Sequence, residues 1–277
     1  MINFFYRTCV ALTLYFFTSI AACVQAADWP SEVVASYDIS FAGFSVGSFD
    51  FRSTVNEHHY VLAGEANISA VFGAFEWRGL TRSDGVIIEK KPDPKSYAFD
   101  YQSSSNNGSV RLDFMMGHII RSDISPYQPY TNQYVPLLSQ HMRDVYDPVS
   151  AIMALTRSTP GHPCKRRIPI FDGRQRFDLV LSPMGTTQIS EARPSGQPED
   201  AYICKVMYVP LGGYIPNSQT QYMQNNSGMR IVLRKVPSAN IYIPYQIRIP
   251  TIAGEALLSS RKVNIITAKR QRIALVH

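Results

Sequence analysis

Apolar and polar positions alternate through most of this chain. Val33, Ala35, Tyr37, Ile39 and Phe41 alternate with Val34, Ser36, Asp38 and Ser40, the two-residue period of a strand with one buried face. Past Gly43 the pattern resumes, with Phe49, Phe51 and Val55 facing in and Ser48, Asp50, Arg52 and Thr54 facing out, which predicts a hairpin. Tyr60, Leu62, Ala66 and Ile68 continue it less cleanly. Residues 75–80 and 86–88 then flank Ser83-Asp84-Gly85, which reads as a turn. Tyr97, Phe99 and Tyr101 face Val110, Leu112 and Phe114 across another glycine-containing turn, Asn106-Asn107-Gly108.

The middle of the chain changes character. Residues 124–146 carry Pro126, Pro129 and Pro136 with little periodicity, as a long ordered loop would. Asp147-Pro148 then predicts a helix start, because Asp caps orphan amides and Pro is tolerated at the first helical position. Val149, Ile152, Met153 and Thr156 fall on one stripe, and Thr159-Pro160-Gly161 stops the helix. A helix this short depends on docking that stripe against a sheet. Residues 210–228 read as a second long loop. Three more strands follow, around Ile231 and Leu233, from Ile241 to Ile249, and from Glu255 to Ile266. Pro244 and Pro250 give the second of these an edge position. Residues 267–277 make an exposed basic tail. The expected fold is mostly β: a large curved antiparallel sheet, half-barrel or spiral, with one short helix packed on it, because a sheet this large must curl, stack or close.

Cys164 and Cys204 bracket the clearest hairpin signal. Residues 167–171 and 175–181 alternate on either side of Asp172-Gly173, the dipeptide suited to a tight two-residue turn. Paired, the two thiols would close a loop of about forty residues and contribute about 4 kcal/mol in the chain-entropy model. Two free thiols buried as small apolar groups would fit the same positions.

Compartment bears on that choice. Residues 1–26 have the parts of an export signal: Arg7 without an acid, an apolar stretch from Val10 to Ala22, and small residues at Val24-Gln25-Ala26. Ile20-Ala21-Ala22-Cys23 also resembles a lipoprotein box in which Cys23 would be acylated. Cleavage after Ala26 is the favoured reading, leaving residues 27–277 as one mostly β domain in the periplasm. Oxidising compartments retain disulfides, which favours Cys164–Cys204.

Composition adds modest constraints. Charged residues are 17% of the chain, below the usual quarter. The formal net charge is +6, and removing Arg7 with the leader leaves one charge fewer. Such a surplus suits an anionic partner, lipid or envelope polymer, or a merely solvated surface. The basic residues are scattered apart from Lys165-Arg166-Arg167, and no nucleic-acid module appears.

Several of these features together resemble a known family. Tyr37-Asp38-Ile39 followed by Gly43-Phe44-Ser45-Val46-Gly47, the Asp144…Asp147-Pro148-Val149-Ser150-Ala151 helix start, and Phe171-Asp172-Gly173-Arg174 with a later Cys204 strand are similar to exported Gram-negative proteins grouped as domain of unknown function thirty-one-zero-eight. The likeness spans residues 30–266. It implies a periplasmic location and a curved β architecture, and it brings no catalytic residues. More remotely, the architecture resembles envelope lipoprotein carriers that hold an apolar ligand in a curved sheet, a likeness of fold alone.

Candidate chemistry is sparse. Gly43-Phe44-Ser45-Val46-Gly47 fits the G-x-S-x-G nucleophile elbow, yet that elbow joins a strand to a helix and here strands flank it on both sides. A serine hydrolase using Ser45 is therefore a minor alternative. His141, Asp144 and Asp147 could share a face of a continuous helix, but Pro148 puts the first two outside it, so no metal site or cofactor is expected. The stripes Phe49/Phe51, Tyr97/Phe99/Tyr101 and Tyr242/Tyr245 could line an apolar cleft, although ordinary core is the plainer reading. The leading expectation is a non-enzymatic envelope protein holding a lipid-like or other apolar ligand, with peripheral membrane association open to it. An envelope scaffold binding a polymer or partner protein is the alternative.

Overall fold

Seven strands follow one another as hairpins in the first half of the chain. They are β1 (Glu32–Phe41), β2 (Phe44–Asn56), β3 (His59–Ala70), β4 (Phe75–Ile88), β5 (Lys91–Ser103), β6 (Asn107–Met115) and β7 (His118–Ser125). The computed structural model describes residues 29–70, 75–127, 129–158, 160–190 and 199–277. The leader, its cleavage site and Cys23 lie outside the described residues. Helix α1 (Pro148–Thr156) comes next, then β8 (Arg166–Phe171), β9 (Arg176–Ile189), β10 (Glu199–Gly212) and helix α2 (Ser218–Asn225). β11 (Arg230–Val236), β12 (Ile241–Thr251), β13 (Gly254–Ile266) and β14 (Arg272–Val276) complete the chain.

All fourteen strands belong to one antiparallel sheet, with β7 at one edge and β8 at the other. The two halves join where β1 pairs β13 along its whole length, from Glu32 opposite Ile266 to Phe41 opposite Ala256. Register shifts interrupt this pair and also β1–β2, β4–β5, β6–β7, β9–β10 and β11–β12. Each such bulge bends its strand and adds twist, so the sheet curls around α1 without closing into a barrel.

Two of the sheet's apolar clusters meet at α1. Val149 and Met153 belong to a core with Tyr60, Leu62, Tyr97, Leu112, Ile241 and Val263. Ala151, on another side of the helix, belongs to a second core built around Cys164 and Cys204. Those cysteines form a disulfide. It reaches across β9, because Cys164 precedes β8 while Cys204 lies on β10 opposite Pro183. The bond thus staples the edge strand to the sheet's interior.

One segment covers both edges. Arg143 bridges to His118 on β7, and Tyr146 bridges to Ile170 on β8. The Tyr146 amide donates to the Pro169 carbonyl and the Phe171 amide donates to Tyr146, each at 2.9 Å. Unpaired edges invite intermolecular pairing, and residues 143–146 cover one point of each. The β8–β9 turn completes the seam: Ser122 Oγ donates to the Gly173 carbonyl at 3.0 Å. A Cβ on Gly173 would lie 2.4 Å from Val110 Cγ1.

Five sequence expectations change. Ser83-Asp84-Gly85 is not a turn, since β4 runs straight through it with a register shift at Asp84/Gly85. Gly85 serves packing there, because an added Cβ would meet the Tyr60 hydroxyl at 2.6 Å. The Asp172 turn has four residues, not two, with Phe171 opposite Arg176; Asp172 Oδ1 accepts from the Arg174 and Gln175 amides and shapes the longer loop. The second long loop contains α2, capped by Asn217 accepting from the Thr220 amide at 2.9 Å. β12 is not an edge strand, as it lies between β11 and β13. Its prolines fit because Pro244 has a partner only on β11, at a bulge, and Pro250 only on β13. Residues 267–277 are not a loose exposed tail: β14 pairs β13 and buries Leu275. His277 is held at Nδ1 by Ser260 Oγ, 2.9 Å, and at Nε2 by Arg234, 2.6 Å.

Candidate functional site

The predicted aromatic stripes meet α1 across open space. Phe49, Tyr97, Phe99 and Tyr101 line a cleft of about 550 Å³ with Val149 and Ile152 of the helix. Strand register explains the grouping: Phe99 lies opposite Val110 and Tyr97 opposite Leu112. Tyr101 lies opposite Gly108, where an added Cβ would strike its ring at 2.6 Å. Glycine there gives the ring its place. Phe99 and Tyr101 stack with centroids 5.8 Å apart.

Behind this cleft is a smaller chamber of about 120 Å³. Phe49 and Ile152 are walls of both spaces. Phe51, the fifth predicted aromatic, faces the chamber with Trp29, Val33, Ile241 and Ile243, and Tyr37, Ser53 and Thr156 add hydroxyls. Tyr242 and Tyr245 point elsewhere: Tyr242 packs on Tyr202, and Tyr245 on His277.

Trp29 was not singled out by the sequence, and nothing in its neighbours signals a role. Its ring lies under the Arg157 guanidinium, 4.9 Å from centroid to Cζ. The indole N–H is buried and has no hydrogen-bond partner among the described residues. Buried polar groups are ordinarily paired, and this donor is an exception.

A buried polar network holds the helix against the cleft. Asp147 Oδ1 accepts from the Val149 and Ser150 amides, each at 2.9 Å. Asp147 Oδ2 accepts from Ser83 Oγ at 2.9 Å. Ser150 Oγ lies 2.9 Å from both Ser83 Oγ and the Tyr60 hydroxyl. Burial pushes the Asp147 carboxyl above its ordinary range against the pull of these hydrogen bonds, and burial likewise raises Tyr60. Asp147 and Pro148 are thus the cap that the sequence predicts, with an added grip on β4.

The cleft's mouth is polar. Asp172 and Arg174 lie there on the β8–β9 turn. The Arg174 guanidinium stacks over Tyr134 at 4.6 Å and Tyr130 at 5.0 Å. Burial raises the Asp172 carboxyl, partly offset by three backbone amides and the Arg174 charge.

The other sequence candidates do not assemble. Ser45 lies exposed beside the β1–β2 turn, opposite Ser40, with a strand on either side. Asp144 is exposed with φ +51°, while His141 accepts from the Leu138 amide. Among the described residues no His, Cys, Asp and Glu group is placed to hold a metal ion.

This curved sheet, wrapped around a short helix with an apolar space between, places the protein in the class of open, half-barrel β folds. A family model described as protein of unknown function (DUF3108) matches residues 36–259. The chain belongs to that family. Its structure is similar to that of a beta-barrel-like protein of domain of unknown function DUF1849 from Brucella abortus. The two share 9% identity at a TM-score of 0.48, over 86% of this chain and 99% of that one. A comparison with curated proteins gave no match.

Proposed function

We propose that this protein is exported to the periplasm and there holds an apolar, lipid-like ligand without transforming it. The observation that carries this reading is the pair of spaces sharing Phe49 and Ile152. The outer cleft lies within the 300–1,000 Å³ or so typical of small-molecule sites. An acyl chain would lie along the aromatic cleft with its hydrocarbon end toward the apolar chamber. The leader at residues 1–26 and the disulfide suit an oxidising compartment outside the cytosol.

Native mass spectrometry of the naturally exported protein tests this. The expected result is a retained lipid-like mass that leaves on denaturation, and its loss in Ile152→Trp, which fills the shared wall. A ligand-free protein that also takes up no fluorescent fatty-acid analogue would end the proposal.

A further inference from the structure

We infer that the aromatic cleft is filled from the side, through the seam where β7 parts from the β8–β9 turn. This rests on the ligand reading of that cleft and assigns the route by which the ligand enters and leaves. The lips of the seam are also walls of the cleft. Ile124 and Ser125 come from the end of β7, and Asp172, Arg174 and Gln175 from the turn. Parting the lips therefore opens the space that holds Tyr101 and Ile152.

The two lips are held unequally. No residue of β7 is buried, whereas β8 buries Ile168, Ile170 and Phe171. β7 has a ladder with β6 alone. On its other flank, among the described residues, His118 bridges to Arg143 and Ser122 Oγ donates to the Gly173 carbonyl. The turn is pinned from several sides. The disulfide fixes the approach to β8, and Asp172 Oδ1 accepts from the Arg174 and Gln175 amides. The Tyr208 hydroxyl donates to Gln175 Oε1 at 3.0 Å, and the Tyr130 hydroxyl to the Arg174 carbonyl at 2.6 Å. Elements that move for ligands come from the least stable parts of a structure, those with few buried contacts. β7 is the lip that moves, and the turn is the lip that stays.

The other strands around the cleft and chamber are joined by long ladders, β1–β2, β2–β3, β1–β13 and β12–β13. Parting any of these breaks a row of backbone hydrogen bonds. Parting β7 from the turn breaks the Ser122 bond and the contact of Gly173 with Val110. Ser122 is itself exposed, so water replaces much of what that bond contributes.

Stopped-flow uptake and release of a fluorescent fatty-acid analogue by the naturally exported protein tests the route. Ser122→Ala removes the latch and leaves the cleft's lining unchanged. It should speed uptake and release alike, about threefold, at unchanged equilibrium affinity. Thr251→Val removes a bond of the same kind at the β12–β13 turn, where Thr251 Oγ1 donates to the Gly254 carbonyl at 2.8 Å. It should leave both rates as they are. Equal acceleration in the two variants, no acceleration in Ser122→Ala, or a change in affinity there would each overturn the inference. Amide exchange of the ligand-free protein supplies a readout that needs no ligand. Ser122→Ala should quicken exchange in β7 and leave β1 and β13 unchanged, and unaltered exchange in β7 would also overturn the portal. A protein that takes up no analogue ends the ligand reading, while exchange still decides whether β7 is the moving lip, so the two proposals fail separately.

Discussion

Asp147 shows how much one side chain can carry. It caps α1, accepts from Ser83 across the interior, and is fully buried. Asp147→Ala should destabilise the protein by about 3 kcal/mol, combining a lost cap with stranded hydroxyls. Asp147→Asn keeps the accepting oxygen and should cost less. Its pH dependence has a definite sign. Burial raises the folded carboxyl's pKa, so the folded state binds the proton more tightly than the unfolded one. The charged form's penalty therefore appears as pH rises through the raised value and is absent below the ordinary carboxylate range. Urea unfolding at neutral and mildly acidic pH should show wild type gaining on Asp147→Asn as pH falls, and a change in the opposite direction would refute the assignment. The cap was legible because Asp-Pro before an apolar stripe is a local signal. Its bond to Ser83, sixty-four residues away, has no local trace.

Among elements, legibility followed the strength of the local pattern. α1 combined a capping dipeptide with an apolar stripe. α2 has a cap at Asn217 but no buried residue, so periodicity is silent over Ser218–Asn225. β12 misled for a physical reason: proline excludes a strand from having two full neighbours, and β12 satisfies that piecewise, one neighbour at a time. The stripes at Phe49/Phe51 and Tyr97/Phe99/Tyr101 told which faces turn inward. They could not tell filled core from open cleft, because that depends on how far α1 stands from the sheet. The disulfide acts at this scale by fastening β8 through Cys204 on β10. Replacing both cysteines by Ala should lower stability by about 4 kcal/mol, read from urea midpoints with and without reductant on the parent. Reductant-insensitive parent stability would count against it.

At the scale of the molecule, the sheet's ends meet through turn and loop instead of strand pairing. Gly173, with φ +105°, rests against Val110. Gly173→Val should cost about 2 kcal/mol through overpacking and a strained backbone. Amide exchange should quicken in β7 and β8 while β1 and β13 stay protected; uniform acceleration throughout would argue against a local seam. Neither this seam nor the β1–β13 union could be read from the chain, since local periodicity marks strands without naming distant partners. That union bears on how the polypeptide reaches its native state. β1 has β2 beside it early, but its other flank waits for residues 254–266. During synthesis most of the chain must emerge before that flank is sheltered, and such late, non-local closure folds slowly and risks self-association. An escort that shields this strand until then would answer a hazard written into the order of the strands.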